Sequence, residues 1–276
     1  MTSGWRKRGR VVLRRLAAKL PPRFIRAVGR LQFRYPIVRS VTRRLNAALT
    51  EGEGIIRHGP GAGLRFDAAG GQPGYLLGTS EPEEQKFLWS LLKPGSVFYD
   101  IGANIGFFST LAGRMVHPGG SVWAFEPFPA SAAQARRNAM LNGFDHVHVV
   151  QAAVGRDTGT LRMVLGEGSQ QHRVGQCSNG PAVHVVTVDR WRQQTDAPPP
   201  DVVMIDVEGS EIDVLSGMMD VLSEHRPVVA CEVHWLGQAF VEFVERRIEP
   251  LGYQLSALSG GIPSGPDRWH ALLTPA

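Results

Sequence analysis

The most distinctive segment of the sequence is a glycine-containing turn, Asp100–Gly106, which directly follows the apolar run Val97–Tyr99 and precedes a helical segment. Glycines at a strand-to-helix turn let a ligand approach the backbone, and the helix that follows begins with unpaired N–H groups. Gly102, Asn104 and Gly106 are spaced two residues apart, whereas a dinucleotide-binding turn has the spacing G-x-G-x-x-G. The turn therefore predicts a ligand site that does not bind a pyrophosphate.

An acidic residue, Glu126, ends the next strand-like segment, Val122–Phe125, and lies 24 residues after Gly102. In nucleoside-binding α/β folds an acid at this place accepts hydrogen bonds from ribose hydroxyls. An acid at a strand end is by itself usually a solvated loop residue. The glycine turn one strand and one helix earlier makes a ligand-binding role the better interpretation.

Three carboxylates lie close together in Ile205–Glu211, between a strand-like segment and a helical one. They are Asp206, Glu208 and Glu211, and ligands of such folds bind at this carboxyl edge of the sheet. Capping of the next helix accounts for Glu211, but it does not explain why Asp206 and Glu208 crowd the strand end. Carboxylate oxygens suit Mg²⁺, so Asp206 and Glu208 are candidate metal ligands.

Two histidines are candidates for work on a substrate. His234 follows the strand-like segment Val228–Cys231, at the same sheet edge as Asp206. A neutral imidazole there could take a proton from a substrate hydroxyl, whereas a lone histidine is more often a surface or capping residue. His172 lies in the polar stretch 166–180 and, with Glu211, is a candidate substrate-binding residue.

Strand-like and helical segments alternate from about residue 81 onward, which predicts an α/β, doubly wound, mostly parallel sheet. The predicted strands are short, apolar and rich in β-branched residues, as strands buried on both faces are. They are Val97–Ile101, Val122–Phe125, Val147–Gln151, Val202–Ile205, Val228–Cys231, Tyr253–Ala257 and Trp269–Leu273. The predicted helices are Glu83–Leu92, Ile105–Val116, Ala130–Asn142, Glu211–Leu222 and Ala239–Ile248.

One interval interrupts this alternation. The strand-like segments Thr160–Leu165 and Ala182–Val188 flank a stretch, 166–180, that is rich in Gly, Ser, Gln and Asn. A hairpin or added edge strands would fit the flanking segments. Long polar loops in compact enzymes are often functional, so the stretch is a candidate substrate loop, with disorder as the alternative.

The charge is divided unevenly along the 276 residues. The first 50 contain 14 basic residues and no acidic ones, whereas the other 226 contain 16 basic and 25 acidic residues, a net charge of −9. This distribution argues against a uniformly basic nucleic-acid-binding protein, and no nucleic-acid partner is expected. The segment 1–60 is predicted to be a basic arm of amphipathic helices, followed by one domain over 61–276.

The remaining composition places the chain among cytoplasmic globular proteins. Its two cysteines, Cys177 and Cys231, are too few for a disulfide framework and match no metal-ligand spacing, so a reducing cytoplasm is expected. No apolar run approaches the ~18 residues that a membrane span needs. The basic arm could dock on the acidic body, cover the acceptor site, form a homodimer contact or touch an anionic membrane surface peripherally.

Five segments, in this order and spacing, resemble the FkbM-type S-adenosylmethionine-dependent methyltransferases over roughly residues 80–235. They are VFYDIGANIG (97–106), VWAFEPFP (122–129), VTVDRW (186–191), DVVMIDVEGSE (201–211) and VACEVH (229–234). The resemblance implies the class I methyltransferase fold, a seven-stranded sheet whose last strand pair is partly antiparallel. It also implies that Asp100, Gly102, Asn104 and Gly106 surround the methionine end of S-adenosyl-L-methionine. Glu126 would hold the ribose of that cofactor, and Gln151 and Ala152 would lie near its adenine.

The resemblance further implies O-methylation, with a small molecule or saccharide as the acceptor. A sugar or glycosylated metabolite is the leading expectation, and a polyketide or other natural-product hydroxyl is the alternative. An alcohol must lose its proton, so a base is needed, for which His234, Asp206 and Glu208 are the candidates. Mg²⁺ held by those two acids could instead lower the pKa of the hydroxyl. The alternative from a different functional class is a non-catalytic scaffold that binds nucleotides, nucleic acid or a membrane.

Overall fold

The computed structural model describes residues 52–164, 173–175, 180–263, 265 and 268–276. The chain divides into two compact units, one that ends at Pro82 and one that comprises Glu83–Ala276. Most of the predicted basic arm and His172 lie outside the described residues. Of the candidate substrate loop, 166–180, only residues 173–175 and 180 are described. In the described part of the chain, no helix combines the length and the apolar character needed to cross a membrane.

The described part of the first unit is a small hairpin with a short helix. Strands β1 (Glu53–Ile55) and β2 (Arg65–Asp67) pair antiparallel, and helix α1 (Pro73–Leu77) follows them. Phe66 is fully buried and packs edge-to-face on Tyr75, with ring centroids 5.8 Å apart. The expected boundary after residue 60 falls in the loop between the two strands, and the unit continues to Pro82.

The second unit contains the predicted doubly wound sheet. In chain order its strands are β3 (Val97–Ile101), β4 (Ser121–Phe125), β5 (Val147–Val150), β6 (Ala153–Val154), β7 (Gly159–Val164), β8 (Arg173–Gly175), β9 (Ala182–Val186), β10 (Val202–Ile205), β11 (Val228–Val233), β12 (Tyr253–Ala257) and β13 (Trp269–Pro275). Its helices are α2 (Pro82–Leu91), α3 (Phe107–Val116), α4 (Pro129–Met140), α5 (Val188–Thr195), α6 (Glu211–Ser216), α7 (Met219–Glu224) and α8 (Gln238–Phe243). A π-helical segment, Val244–Ile248, and a 3₁₀ turn, Glu249–Leu251, continue α8.

The central sheet has seven strands in the order β12-β13-β11-β10-β3-β4-β5. Strands β11, β10, β3, β4 and β5 are parallel to one another, whereas β13 is antiparallel to both β11 and β12. The α/β fold class and the antiparallel last strand pair are therefore confirmed. Because β3, β4, β10 and β11 run in the same direction, their carboxyl ends lie at one edge of the sheet.

Aromatic side chains hold this sheet to the helices beside it. Tyr99 in β3 is fully buried, and its hydroxyl donates a hydrogen bond to the carbonyl oxygen of Pro198, 2.7 Å away. Its ring packs against Phe125 of β4 and Trp191 of α5, with centroids 5.9 and 5.8 Å away. Such contacts add about 0.5–1.5 kcal/mol each beyond the area they bury. The strands that carry the site residues are thus anchored to a rigid core.

Two predicted helices differ from the observed ones. The helix predicted over Glu211–Leu222 is two helices, α6 and α7, because the chain turns at Gly217. An added Cβ there would lie 2.0 Å from the carbonyl oxygen of Gly155, so only glycine allows this approach. Asp189 accepts hydrogen bonds from the N–H groups of Asp220 and Val221 and so fixes the start of α7. The helix predicted over Ala239–Ile248 is α-helical only to Phe243.

The interval that interrupts the alternation forms a second sheet, with the order β6-β9-β7-β8. Strand β9 pairs antiparallel with β7 and parallel with β6, and β7 pairs antiparallel with β8. The two predicted strands of this interval are confirmed, with ends shifted by one or two residues. They belong to a separate sheet, whereas edge strands added to the main sheet were one of the two expectations.

Candidate active site

The site lies where four neighbouring strands end. Ile205 of β10 is paired with Ile101 of β3 on one side and with Cys231 of β11 on the other. Ile101 is in turn paired with Phe125 of β4. The residues that follow these positions therefore meet at one edge, as the sequence predicted.

The glycine turn allows the ends of β3 and β10 to approach each other closely. Gly102 has φ +92°, and an added Cβ would lie 1.8 Å from the backbone oxygen of Asp206. Gly106 has φ +80°, and an added Cβ would lie 2.9 Å from the Cβ of Ala135. Asn104 also adopts a left-handed conformation, with φ +50°. Gly102 and Gly106 are thus required by packing, in addition to any ligand that the turn accepts.

Glu126 joins the glycine turn to the end of β4. Its Oε2 accepts a hydrogen bond from the backbone N–H of Asn104 at 2.8 Å, and its Oε1 accepts one from Phe128 at 2.7 Å. Burial raises the pKa of Glu126 to about 7, although both backbone donors act to lower it. The Oδ1 atom of Asn104 is buried without a hydrogen-bond partner among the described residues. A buried polar atom in this state suits a site that a polar ligand completes.

Asp100 is the other buried acid of this half of the site. The hydroxyl of Ser109 donates a short hydrogen bond to its Oδ2. Burial raises the pKa of Asp100 to about 7, and the Ser109 hydrogen bond only partly opposes that rise. A carboxyl group in such a place would be ionised more readily beside a cation, for example the ammonium group of an amino acid.

Gln151 and Ala152 lie directly after β5. The N–H of Glu126 donates to the carbonyl oxygen of Val150 at 3.0 Å, which fixes the end of β5 beside that of β4. Gln151 is exposed, whereas Ala152 is buried in the core. The backbone connection places both residues next to Glu126 along the sheet edge.

His234 lies at the centre of a group of carboxylates. Its Nδ1 is 2.8 Å from Oε1 of Glu211, a hydrogen-bond distance. Its Nε2 lies 3.7 Å from Oδ1 of Asp206, 3.7 Å from Oε2 of Glu208 and 3.9 Å from Oε1 of Glu232. That Nε2 atom is buried and has no hydrogen-bond partner in the described part of the chain. One ring nitrogen is therefore held in place while the other points, unbonded, toward the carboxylates.

The surroundings of His234 set its proton affinity. Burial lowers the pKa of the imidazole, but the hydrogen bond that its Nδ1 donates to Glu211 and the charges of Asp206 and Glu208 outweigh burial and raise that pKa above 6.5. Burial in turn raises the pKa of both Asp206 and Glu208. The cluster therefore favours uptake of one proton by the imidazole, which is what a general base must do.

Glu211, a candidate substrate-binding residue in the sequence, is buried beside His234. Its side chain is fully buried, and its Oε1 accepts hydrogen bonds from both His234 and the backbone N–H of Gly209, the latter at 3.0 Å. A carboxylate in this position fixes the tautomer and the orientation of the imidazole. The described contacts of the Glu211 side chain are thus with His234 and Gly209, and a role in substrate binding stays a prediction.

Glu232 is a site residue that the sequence analysis missed. It is buried, and it is hydrogen-bonded to Nε of Arg268. The Nε2 atom of His270 lies 3.5 Å from it and 3.0 Å from Oε1 of Glu84. Residues two apart in a strand face the same side, so the spacing of Glu232 and His234 could have indicated this neighbour.

The metal ligands expected from the sequence were Asp206 and Glu208, and the structure groups different side chains. The cluster whose potential ligand atoms lie within 4.8 Å of one another is Asp206, Glu232 and His234, without Glu208. Mg²⁺ prefers an all-oxygen ligand set, and this cluster includes a nitrogen. Arg268 already neutralises Glu232. The donor set therefore does not fit Mg²⁺, and no step is assigned to that ion.

The strand order, with β13 antiparallel between β11 and β12, is that of the class I methyltransferase fold. The model of the methyltransferase FkbM domain matches residues 100–255, which is more than half of the chain. The chain belongs to the FkbM methyltransferase family.

Individual relatives are more distant. The chain is 44% identical over 74 residues to 31-O-demethyl-FK506 methyltransferase FkbM of Streptomyces tacrolimicus, covering 27% of this chain and 28% of that protein. It is 25% identical to 2-O-methyltransferase NoeI of Sinorhizobium fredii, in a match that covers 54% of this chain and 68% of that protein. It is 26% identical to hexuronic acid methyltransferase AglP of Haloferax volcanii, in a match that covers 61% of this chain and 64% of that protein.

The match to the Streptomyces protein spans about a quarter of that relative, and a match to Methyltransferase 1 of Beauveria bassiana spans 59% of its length. Among solved structures, the chain is similar to methyltransferase FkbM from Methylobacillus flagellatus KT. That match has 20% identity and a TM-score of 0.44, covering 73% of this chain and 52% of that one.

Proposed function

We propose that this protein is an S-adenosylmethionine-dependent O-methyltransferase whose acceptor is a hydroxyl of a sugar or a glycosylated metabolite. The observation that carries the proposal is the His234–Glu211 pair, with an unbonded Nε2 at the edge that also carries the glycine turn. Membership of the FkbM family supports the reaction class. Two relatives, a 2-O-methyltransferase and a hexuronic acid methyltransferase, support by their names an acceptor of the sugar type.

The cofactor would be held by the half of the site around β3 and β4. Asp100 would pair with the ammonium group of its methionine end, the backbone of the Gly102–Gly106 turn would line the same end, and Glu126 would accept from the ribose. Gln151 and Ala152 would border the adenine. When bound, S-adenosylmethionine supplies an activated methyl group on a sulfonium sulfur.

The half of the site at the ends of β10 and β11, the acceptor half, would bind the acceptor and activate its hydroxyl. Nε2 of His234 accepts the hydroxyl proton as the oxygen–carbon bond forms and the carbon–sulfur bond breaks. Glu211 stabilises the imidazolium that results, because its buried carboxylate is 2.8 Å from Nδ1. General-base catalysis of this kind contributes about 10²–10⁴-fold in rate. Asp206 and Glu208 would bind hydroxyl groups next to the reacting one.

The test has two parts. Calorimetry with S-adenosylhomocysteine should show saturable binding by the folded protein, and no binding would contradict the proposal. Methyl-labelled S-adenosylmethionine, incubated with the protein and an extract of small metabolites, should place label on a hydroxyl oxygen. Label on a polyketide hydroxyl would support the alternative acceptor, and label on nitrogen or carbon would contradict O-methylation.

A further inference from the structure

Trp235 is an exposed aromatic residue at the acceptor half of the site. Its side chain is 58% exposed, and its ring centroid lies 5.4 Å from that of His234. The ring also lies over the turn after β10, since a Cβ added to Gly209 would be 3.8 Å from its Cε3 atom. Trp235 thus spans from the histidine to the Glu208–Gly209 turn.

The backbone of Trp235 is strained. Its φ is +55°, a left-handed conformation that is a genuine outlier for a bulky residue. Such conformations cost of order 1–3 kcal/mol and cluster at ligand-binding sites. Exposure alone would mean little, because Trp89 on α2 is 60% exposed as well. The combination of strain, exposure and contact with His234 distinguishes Trp235.

Two of the side chains nearest to Nε2 of His234 are carboxyl groups, which accept hydrogen bonds. The side chain of Asp206 is 38% exposed and that of Glu208 is 24% exposed, and both lie 3.7 Å from Nε2 of His234. The nearby cation, Arg268, is hydrogen-bonded to Glu232. A hydroxyl-rich ligand can donate to these carboxylates, whereas a ligand that carries a carboxylate of its own meets like charges.

The buried, unbonded Nε2 of His234 is a second and independent indication that a ligand group enters this cluster. It lies among the carboxylates and next to the aromatic ring. A pyranose has one apolar C–H face and a rim of hydroxyls. Trp235 would contact that face while the rim meets Asp206, Glu208 and His234.

We propose that the acceptor ring is a neutral pyranose that packs on Trp235, donates hydroxyl hydrogen bonds to Asp206 and Glu208, and presents one hydroxyl to Nε2 of His234. The inference rests on the proposed O-methyltransferase function and adds to it the charge of the acceptor. A neutral acceptor would distinguish this chain from the Haloferax relative, which is named a hexuronic acid methyltransferase.

The test compares matched acceptors. Neutral methyl hexopyranosides and the corresponding methyl hexuronides are assayed in pairs with methyl-labelled S-adenosylmethionine. The neutral member should have a kcat/KM at least tenfold higher in each pair that reacts. A preference for the hexuronide, or label on hydroxyls of other metabolites and on no pyranoside, would overturn the inference while methyl transfer itself remained. Absence of transfer to every metabolite would instead refute the proposed function.

Variants test separately the proposed contact of the pyranose with Trp235 and its contact with Glu208. Trp235→Ala should raise the KM of the best pyranoside at least tenfold, with kcat and cofactor affinity little changed, and Trp235→Phe should recover most of the loss. Trp89→Ala, an equally exposed tryptophan on α2, is the matched control and should change neither constant. Glu208→Gln should narrow the preference for the neutral member of each pair. An unchanged KM in Trp235→Ala would overturn the assignment of the ring contact.

Discussion

Removal of the imidazole of His234 should reduce turnover far more than it affects cofactor binding. Loss of a general base lowers kcat by about 10²–10⁴-fold, which corresponds to about 3–5 kcal/mol. The affinity for S-adenosylhomocysteine should stay within twofold, because the residues assigned to the cofactor lie at the ends of β3, β4 and β5.

The single variant His234→Ala is not sufficient, because the imidazole is also the partner of a buried carboxylate. Glu211 is fully buried, and without His234 its Oε1 would retain only the N–H of Gly209. An unpaired buried charge costs about 3–5 kcal/mol, a large part of the 5–15 kcal/mol that stabilises a typical domain. Loss of activity could then reflect unfolding.

The double variant Glu211→Gln/His234→Gln removes both charges and so avoids this penalty. We expect it to melt within a few degrees of the wild-type protein, to bind S-adenosylhomocysteine, and to turn over at least 100-fold more slowly. Thermal denaturation, calorimetry and a single-turnover labelling assay measure the three quantities. Turnover within about threefold of wild type, in a folded variant, would refute the assignment of His234 as the base.

Further predictions concern pH and the glycine turn. The midpoint of the acid limb of the wild-type pH–rate profile should lie above pH 6.5, because Glu211, Asp206 and Glu208 raise the pKa of His234 despite its burial. The variant Glu211→Gln should move that midpoint to lower pH. An unmoved midpoint would contradict the role of Glu211. Gly102→Ala should abolish cofactor binding and lower the melting temperature, because its Cβ would lie 1.8 Å from a backbone oxygen. Gly95→Ala, with a matching φ of +91° in open space, is the control and should cost only about 1 kcal/mol; equal losses would contradict the packing argument.

The stability of the ligand-free protein should also depend on Asp100. Burial raises its pKa from 3.8 to about 7, so its contribution is complete in acid and is lost as the pH rises through about 7. Asp100→Asn should flatten, without removing, the fall in melting temperature from about pH 4 to about pH 7, since Glu126 shifts in the same direction. Identical pH dependence in the variant would contradict the assignment.

The fold was predictable because its signals are local. The strands β3, β4 and β10 are short apolar runs followed directly by a glycine or an acid, and the period of the pattern changes where the helices begin. The break at Gly217 was not predictable, because it arises from the approach of Gly155, 62 residues earlier in the chain. The second sheet likewise depends on long-range pairing of β6 with β9.

The sequence could predict where the candidate site residues lie, but not which of their side chains contact one another. The strand ends identified Asp206, Glu208 and His234, since parallel strands bring their carboxyl ends to one edge. Spacing does not reveal that Glu211, at the start of a helix, is fully buried and holds His234 Nδ1. Arg268 could not be assigned either, because its pairing with Glu232 depends on the antiparallel insertion of β13.

The central claim is that His234 and Glu211 act with a bound methyl donor on a sugar hydroxyl. The most direct test is transfer of a ¹³C-methyl group from S-adenosylmethionine to a neutral pyranoside, followed by NMR with wild-type protein and the Glu211→Gln/His234→Gln variant. We predict a methyl-ether signal on one ring oxygen with the wild-type protein and a rate at least 100-fold lower with the variant. Equal rates for the two proteins, or no methyl ether on any pyranoside with a wild-type protein that binds the cofactor, would contradict the claim.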